Sequence, residues 1–337
     1  MRDFELRWRW RESSLVNMNR CIVVGAGMAG LTAARALMAE GWAVTVLDKG
    51  WNPGGRMATR RVDGRVFDHG AQFFTARDEG FQSTVQEWAE RGWVRPWREV
   101  DGVVRWCSVD GMNGLAGKLA AGLDVRQRVA VERVEWAGGS WRVVTREETF
   151  EGAVVLTAPL EQCLQLLEGS LDRLPGAMVE TMRAVAYEPC FAAMVSLRGS
   201  SAVPAPGYVE IAEGPVAFVA DNTAKGISMA AGADVTIHSR AEWARANWDM
   251  PLQDAGRALV EAAGAWLGAE VERVQVHRWK YAKAVRGATE RALVAGRLAV
   301  AGDGLGGARV EGAFLSGLAA AERLLNNDAG EGCGASV

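Results

Sequence analysis

A glycine-rich loop near the start of the chain constrains the fold more than any other feature. Residues 21–30 read Cys-Ile-Val-Val-Gly-Ala-Gly-Met-Ala-Gly, so a short apolar run ends in Gly25, Gly27 and Gly30 at the G-x-G-x-x-G spacing. An amphipathic segment and a second apolar run follow, and the second run ends in Asp48. This order predicts the strand, tight turn, helix, strand and acid of a dinucleotide-binding unit.

Each glycine of this loop has a distinct physical task. Gly25 permits the tight turn, Gly27 lets the backbone approach a pyrophosphate, and Gly30 lets the helix pack closely on the strand. The helix N-terminus offers free N–H groups and partial positive charge to phosphates, and Asp48 is placed to accept from a ribose hydroxyl. The candidate residues of the unit are Gly25, Ala26, Gly27, Met28, Ala29, Gly30, Asp48 and Lys49.

The loop by itself leaves two questions open. Glycine is common in this chain, at 40 of 337 residues, so an ordinary turn in an α/β sheet is the alternative interpretation. The apolar strand before the loop, the helix after it and the acid at the expected distance favour nucleotide binding. The unit does not separate NAD from FAD.

Composition excludes several other classes of protein. The net charge of −3 and the lack of a basic run argue against a nucleic-acid partner, and no apolar stretch reaches the ~20 residues of a membrane span. Five scattered cysteines without a C-x-x-C pair indicate a reducing compartment, which we expect to be the cytoplasm, and argue against structural zinc. With three histidines in the chain, we expect no metal site.

Both ends of the chain are expected to be disordered. Residues 1–17 are polar and arginine-rich and lack the apolar core of a signal peptide, so they form a leader, or the natural start is Met18. Residues 326–337 are polar and rich in glycine, which predicts a disordered tail.

The segment after Asp48 has the composition of a second phosphate-side loop. Gly54 and Gly55 let main-chain N–H groups reach a phosphate, and Arg56 can neutralise pyrophosphate, with Met57 next in the loop. The alternative is a plain surface turn with a solvated arginine.

A third segment, which begins about ten residues later, has features of a pocket for a flat ring. Gly70 and Ala71 are small, so their backbone can lie near such a ring, while Gln72 and Phe73 could line the pocket. We expect His69 to be a structural hydrogen-bonding residue rather than a catalyst.

A second helix-terminus site is predicted near the end of the chain. The last apolar strand, over 298–301, ends in Gly302 and Asp303, and the aspartate can bond a polyol hydroxyl such as ribityl. After a glycine-rich loop, Val310 and Glu311 lead into a helix whose first turn is Gly312-Ala313.

The chain organisation predicts two domains, one of them discontinuous. A β-meander over 125–150 leads into a buried strand at 154–158, whereas mixed strands and helices from 160 to 276, including a strand over 227–231, indicate an α+β second domain. The predicted cofactor domain comprises 18–75, 103–160 and 277–325, and the substrate domain comprises 76–102 and 161–276.

Several motifs together resemble the renalase-like branch of the flavin amine oxidase superfamily, over residues 20 to about 325. Those of the first domain and the C-terminal part are Gly54-Gly55-Arg56-Met57, Asp68-His69-Gly70-Ala71-Gln72-Phe73-Phe74-Thr75, Gly111-Met112-Asn113 and Val310-Glu311-Gly312-Ala313. Those of the second domain are Tyr187-Glu188-Pro189-Cys190, Asp221-Asn222-Thr223-Ala224-Lys225-Gly226 and Ile237-His238-Ser239.

The resemblance implies an α/β fold of the glutathione-reductase and amine-oxidase type, with a Rossmann-like FAD-binding domain and an α+β substrate domain. FAD would be bound non-covalently and extended, with both phosphate-side loops on its pyrophosphate and Asp48 on the adenosine ribose. Val129 would meet adenine through its backbone, and Asp303 would meet ribityl or pyrophosphate. The flavin would lie near Val310, Gly312 and Ala313, with Gly70 to Phe73 beside the ring.

The resemblance also implies an activity. Bacterial renalases oxidise dihydronicotinamide dinucleotides reduced at ring position 2 or 6, return β-NAD(P)+ and pass the electrons to O₂, which gives H₂O₂. Hydride transfer to a flavin needs no strong base, so the protein must mainly hold the two rings in contact.

Three residues are predicted at the reacting centre. Gln72 is expected beside the isoalloxazine, and His238 and Lys225 are expected to reach the substrate from the second domain. The alternatives are a strand histidine satisfied by backbone and a solvated turn lysine. Weaker candidates for the pocket wall are Tyr187, Asn222 and Trp279; ordinary packing explains the two aromatic residues equally well.

Two other functions stay open. One keeps the flavin but oxidises a small amine, although amine oxidases of this superfamily usually frame the amine with aromatic residues and the chain has three tyrosines, Tyr187, Tyr208 and Tyr281. The other is a non-catalytic FAD-binding protein, since fold does not fix function. The oligomeric state and the choice between NAD and NADP forms stay open as well.

Overall fold

The computed structural model describes residues 19–285 and 290–332, the last four as backbone only, so the predicted leader lies outside the described residues. The strands are β1 (Arg20–Val24), β2 (Ala43–Asp48), β3 (Thr59–Val62), β4 (Arg65–Asp68), β5 (Val94–Val100), β6 (Val103–Ser108), β7 (Asp124–Gln127), β8 (Val131–Ala137), β9 (Ser140–Thr145), β10 (Thr149–Leu156), β11 (Tyr187–Leu197), β12 (Tyr208–Glu210), β13 (Val216–Asp221), β14 (Asp234–Ser239), β15 (Val271–Ala284), β16 (Leu293–Ala295) and β17 (Leu298–Val300). The helices are α1 (Met28–Ala39), α2 (Glu79–Glu90), α3 (Met112–Ala120), α4 (Leu160–Leu166), α5 (Gly176–Ala184), α6 (Ala241–Ala246), α7 (Leu252–Ala262), α8 (Gly264–Leu267), α9 (Asp303–Gly306) and α10 (Val310–Gly332), with a 3₁₀ turn at Glu168–Arg173.

The first sheet confirms the predicted α/β fold class. Its main path runs in the order β16-β17-β10-β1-β2-β7, and β1 lies parallel to both β10 and β2. Cys21 and Val23 of β1 face one core cluster, and Ile22 and Val24 face another. Because both faces of the strand are covered, the sequence is a continuous apolar run rather than an alternating one.

Helices cover both faces of this sheet. Helices α1, α3 and α10 pack on one face, and α4 and α5 pack on the other. Helices α1 and α10 approach very closely, because a Cβ on Gly317 would lie 2.2 Å from the carbonyl oxygen of Ala29. This contact places the start of the last helix near the predicted nucleotide loop.

A second sheet of the described chain forms the other layer, in the order β12-β13-β14-β11-β15. All its pairings are antiparallel. Its own core cluster includes Phe191, Ile237 and Leu259, with α6 and α7 packed on it. This arrangement agrees with the α+β character expected of the second half of the chain.

Two hairpins beside the first sheet were missed from the sequence. Strands β3 and β4 are joined through Asp63 and Gly64, and β5 and β6 through Asp101 and Gly102. The φ angles at these four residues are all positive, from 50° to 76°. Asp-Gly between two strand-like runs is a strong hairpin signal, so the local sequence contained the information.

The sequence boundaries differ from the structure in four places. Residues 277–284 belong to β15 of the second sheet rather than to the cofactor domain, and the boundary at 102/103 cuts through the β5–β6 hairpin. The predicted strand over 227–231 is wrong, since these residues form bends and loop. Residues 326–332 continue α10, where the Asp328 carboxylate pairs with Arg297 at 3.0 Å, so disorder is wrong there.

The described ranges hold no helix that is both long enough and apolar enough to cross a bilayer.

Candidate functional site

The glycine-rich loop is held by contacts that leave no room for side chains on its inner side. A Cβ on Gly30 would lie 1.9 Å from the carbonyl oxygen of Gly25, and Gly25 itself has a φ of 110°. At Gly27, in contrast, a Cβ would have no protein atom within 4 Å. The space beside the N-terminus of α1 is therefore open to a ligand, as nucleotide binding requires.

The acid at the end of β2 holds the loop as well as facing the predicted ribose. Asp48 accepts hydrogen bonds from the backbone N–H of Ala26 and of Gly50, both at 2.6 Å. Each carboxylate oxygen can accept more than one bond, so capacity for a ribose hydroxyl remains. The N–H of Val129 is donated to the Asp48 carbonyl at 2.9 Å, while Lys49 is exposed beside it.

The second phosphate-side loop lies directly against the first. The N–H of Gly54 bonds the carbonyl of Ala26 at 2.8 Å, and a Cβ on Gly55 would meet the Cα of Gly27 at 3.5 Å. The side chain of Met57 is 3% exposed and belongs to the core, so of this residue only the backbone can face a cofactor.

Arg56 connects this loop to the far end of the chain. Its guanidinium makes a bidentate ion pair with Asp303, at 2.8 and 2.5 Å, and lies 5.7 Å from the ring centre of Tyr187. The pair brings two predicted cofactor residues together across 247 positions of sequence. Tyr187 therefore lies beside the Arg56–Asp303 pair, where its hydroxyl accepts from the N–H of Leu160 at 3.2 Å.

The start of α10 fits tightly on the loop before it. A Cβ on Gly312 would lie 2.1 Å from the Gly307 carbonyl oxygen, and the N–H of Gly302 bonds the Ser316 hydroxyl at 2.8 Å. Val310 and Ala313 are half-buried next to this contact.

Glu311 does not serve the predicted role through its side chain. The carboxylate is buried and accepts from the backbone N–H groups of Arg77 and Asp78, at 2.5 and 2.8 Å. It ties the first turn of α10 to the start of α2, because two otherwise unpaired N–H groups find a charged acceptor there.

The segment predicted to face a flat ring is fixed by the second phosphate-side loop. The N–H of Ala71 bonds the carbonyl of Arg56 at 2.8 Å, and a Cβ on Gly70 would lie 2.0 Å from the same oxygen. Gly70 is thus required by a close backbone approach, which joins the two segments directly.

Gln72 carries an unpartnered acceptor in this segment. Its Nε2 donates to the carbonyls of Asp68 and Gly70, at 2.5 and 3.3 Å, which fixes the orientation of the amide. The Oε1 atom is buried and has no hydrogen-bond partner in the described structure. A buried acceptor without a partner is costly, so this atom is an observation that fits a bound donor group.

Lys225 does not reach an open pocket as predicted. Its ammonium is fully buried, pairs with Asp68 Oδ2 at 2.6 Å and donates to the Gln72 carbonyl at 2.5 Å. Both the predicted substrate contact and the alternative of a solvated turn lysine are therefore wrong for this geometry. Asp68 also accepts from Thr59 and from the N–H of Met112, at 2.6 and 2.8 Å, so its carboxylate is shared among three donors, from β3, from α3 and from the turn after β13.

Asn222 belongs to the same buried network. Its side chain accepts from the N–H of Asp68 at 3.1 Å and donates to the Thr236 hydroxyl at 2.9 Å. It is fully buried, so it links the β3–β4 hairpin to the second sheet rather than lining a pocket wall.

All three histidines of the chain lie around the backbone of His69. His238 Nε2 and Trp279 Nε1 each contact the carbonyl oxygen of His69, at 3.2 and 2.9 Å, and the His277 ring lies 5.0 Å from the His69 ring. Burial, with the nearby His277 and Arg60, lowers the pKa of His69 to about 3, and burial lowers the pKa of His238 to about 4. The histidines are therefore neutral near pH 7, and the His69 Nδ1 lies 3.2 Å from the carbonyl oxygen of Ala58.

An aromatic cluster between the β5–β6 hairpin and the second sheet was missed from the sequence. It consists of Phe73, Trp97, Tyr208 and Phe218, and the Tyr208 and Phe218 rings stack with centres 5.4 Å apart. Arg105 lies over the faces of Phe73 and Tyr208, at 4.5 and 5.0 Å. Its members are up to about 145 positions apart in sequence, so no local pattern could have grouped them.

A cavity of about 470 Å³ opens beside this cluster. Its lining includes Ala71, Phe73 and Val310, which were predicted to lie near the flavin, and also the hairpin residues Val100 and Val103. The charged residues of the lining are Arg77, Asp101, Arg105 and Arg309. Ala71 and Phe73, the chain neighbours of Gln72, both line the cavity, so the segment that holds the unpartnered acceptor also offers an apolar face to it.

Comparison with known families assigns the class of protein. Residues 23–88 match the model for an NAD(P)-binding Rossmann-like domain, and residues 94–325 match the model for flavin containing amine oxidoreductases. The second match covers more than two thirds of the chain. The protein belongs to the flavin containing amine oxidoreductase family.

Individual relatives are similar over much shorter segments. Hydroxyneurosporene desaturase of Rubrivivax gelatinosus is 51% identical over 59 residues, which is 18% of this chain and 11% of the relative. Putrescine oxidase of Kocuria rosea is 41% identical over 66 residues, 20% of this chain and 14% of the relative. The chain thus aligns with about a tenth of each relative's length, and these matches do not assign a substrate.

Solved structures share the fold over nearly the whole chain. A triple mutant of putrescine oxidase gives a TM-score of 0.68 at 14% identity, covering 92% of this chain and 99% of that one. Cyclohexylamine oxidase from Brevibacterium oxydans IH-35A gives 0.66 at 14% identity, covering 94% and 100%. At this identity the likeness establishes the fold alone.

Proposed function

We propose that the protein is a renalase-like oxidase that binds FAD non-covalently and accepts hydride from dihydronicotinamide dinucleotides reduced at ring position 2 or 6. The products would be β-NAD(P)+ and, after reoxidation by O₂, H₂O₂. We place this activity in the cytoplasm. The observation that carries the proposal is the buried, unpartnered Oε1 of Gln72, whose chain neighbours Ala71 and Phe73 line the cavity.

The cofactor side of the proposal rests on the open space at Gly27 and on the loops gathered around it. The N-terminus of α1 and the loop of Gly54 and Gly55 would hold the pyrophosphate, with Asp48 at the adenosine ribose. Arg56 would act there with its charge balanced by Asp303. Bound FAD would supply the two-electron acceptor, which no amino-acid side chain provides.

The residues of the chain would orient the donor rather than transfer protons. Oε1 of Gln72 would accept from an N–H of the cofactor ring, and the aromatic cluster would hold the donor ring flat and exclude water. His238 and His69 are neutral near pH 7, since burial lowers the pKa of both. A hydride donor without an acidic proton suits such a site, because its reaction needs no base.

One observation favours the second candidate, an oxidase of small amines. The aromatic cluster of Phe73, Trp97, Tyr208 and Phe218 offers aromatic faces that could frame an amine, although the chain has three tyrosines. The sequence argument against an amine is therefore weaker than it was. The charged residues that line the cavity also bear on the choice between an amine and a dihydronicotinamide.

Anaerobic reduction of the bound flavin tests the proposal. We expect dihydronicotinamide isomers reduced at position 2 or 6 to bleach the flavin absorbance, and air to restore it with one H₂O₂ per donor. Bleaching by amines alone would replace the proposal with the amine oxidase, and bleaching by no donor would favour a non-catalytic FAD-binding protein.

A variant of Gln72 tests the observation that carries the proposal. Gln72→Met keeps the length of the side chain but removes the amide, so we expect FAD affinity to fall by about tenfold, the usual value of one buried hydrogen bond, and the flavin absorbance bands to shift. Gln82→Met, on the exposed surface of α2, is the control and should change neither. Unchanged affinity and spectrum in Gln72→Met would contradict the placement of the ring.

A further inference from the structure

We propose that the cavity beside the aromatic cluster holds an anionic group of the hydride donor, a phosphate or pyrophosphate, through Arg77, Arg105 and Arg309. The inference rests on the proposed function in taking the donor to be a nucleotide. All three arginines line the 470 Å³ cavity together with Ala71 and Val310. The anion site would thus adjoin the residues predicted to face the flavin.

Two of the three guanidinium groups are unpaired in the described structure. Arg105 pairs with Glu210 at 2.7 Å and is held by the faces of Phe73 and Tyr208. The side chains of Arg77 and Arg309 are exposed and have no hydrogen-bond or ion-pair partner among the described residues. Asp101 is the one acidic side chain in the lining, so the cavity keeps an excess of positive charge.

Backbone contacts hold two of these arginines at fixed positions. Glu311, in the first turn of α10, accepts from the N–H of Arg77, and Arg309 directly precedes that helix. The backbones of Arg77 and Arg309 therefore both lie at the contact between the Arg77 N–H and the first turn of α10.

This charge separates the two candidate donors. An ammonium substrate would be repelled by the unpaired guanidinium groups, whereas a phosphate or pyrophosphate would be attracted and could be bonded by several N–H donors. Aromatic faces alone suit either donor. The same cavity has an aromatic face for a ring and three arginines for an anion, and this combination favours a nucleotide.

The first test compares donors that differ in phosphate. The flavin of the holoprotein is reduced anaerobically by the 6-reduced isomers of nicotinamide riboside and of NAD, since the riboside lacks phosphate. We expect the second-order rate constant to be at least about tenfold greater for the dinucleotide, and the Arg77→Gln/Arg309→Gln double variant to remove most of that preference. Arg257→Gln, in an exposed ion pair on α7, is the matched control and should keep the preference.

The second test does not require turnover. ADP-ribose and inorganic pyrophosphate are titrated into the oxidised holoprotein by calorimetry. Binding that weakens about tenfold or more in the double variant but not in Arg257→Gln supports the anion site even if amines prove to be the donors. Equal binding in all three proteins, or a dinucleotide preference that survives in the double variant, would overturn it.

Discussion

The cofactor side and the donor side of the site are built in different ways. On the cofactor side, the loops at 25–30, 54–57 and 302–313 are held mainly by backbone contacts so close that they exclude a Cβ at Gly30 and Gly312. On the donor side, side chains from distant elements are held by one another, as in the Asp68–Lys225 pair and the aromatic cluster.

The difference explains which side could be predicted. A backbone that must pass within 2 Å of a would-be Cβ requires glycine, and that requirement is visible in the sequence as a spacing. A buried ion pair between residues 157 positions apart leaves no local pattern. Sequence therefore indicates where a cofactor is held more readily than what the cofactor reacts with.

The largest effect is expected from breaking the donor-side ion pair. Lys225→Met removes the ammonium and leaves the Asp68 carboxylate buried with one partner fewer, which should lower the free energy of unfolding by about 4 kcal/mol. Chemical denaturation followed by far-UV circular dichroism measures the change.

The matched control for this pair is Asp68→Asn combined with Lys225→Met. Because neither charge then stays buried, the double variant should be more stable than the sum of the two single variants predicts, by roughly 2 kcal/mol. Additive losses would show that the two side chains act independently, and that the Asp68–Lys225 pair does not link the β3–β4 hairpin to the second sheet.

The next effect separates two functions of glycine within one loop. In Gly30→Ala the new Cβ would lie 1.9 Å from the Gly25 carbonyl oxygen, so the backbone must shift, at a cost of about 3 kcal/mol of stability. In Gly27→Ala the Cβ meets no protein atom within 4 Å, so stability should change by less than about 0.5 kcal/mol.

Cofactor binding distinguishes the two glycine variants further. Gly27→Ala should weaken FAD binding by at least about tenfold, because the methyl group occupies the space proposed for the pyrophosphate. Titration of the apoprotein with FAD, followed by quenching of flavin fluorescence, measures the affinity. If Gly27→Ala bound FAD with normal affinity, the pyrophosphate would not occupy the open space beside α1.

His69 and His238 should make the stability of the folded protein depend on pH. Burial lowers the pKa of His69 to about 3 and of His238 to about 4, below the ordinary value near 6.5. As the pH falls below 6.5 the unfolded chain takes up protons that the folded chain does not, so stability is lost. Between pH 7 and pH 5 the loss should be about 2 kcal/mol for His69 and less for the half-buried His238.

Thermal unfolding at a series of pH values checks this dependence. The His69→Gln/His238→Gln variant lacks both groups, so its melting temperature should vary less between pH 7 and pH 5 than that of the natural protein. Equal slopes in the two proteins would mean that carboxylates elsewhere set the acid sensitivity.

The fold was more accessible to sequence analysis than the site. The parallel strands β1, β2, β10 and β17 were visible as apolar runs because both faces of the sheet are buried there, and the first turn of α10 was predicted to contain Gly312 and Ala313. The hairpins of Asp63 and Asp101 had a local signal that was not used. The burial of Lys225 had no such signal, because its partner Asp68 is set by how the β3–β4 hairpin packs on the second sheet.

The smallest expected effect concerns Glu311, where the sequence assigned a cofactor role to a residue that pins two helices together. In Glu311→Gln an amide oxygen replaces the carboxylate that accepts from Arg77 and Asp78, so the bonds weaken without being lost. We expect about 1 kcal/mol of lost stability and no change in FAD affinity or flavin spectrum. If Glu311→Gln lowered the FAD affinity without changing the stability, the Glu311 side chain would contribute to cofactor binding. The cofactor side would then depend on this side chain as well as on backbone contacts.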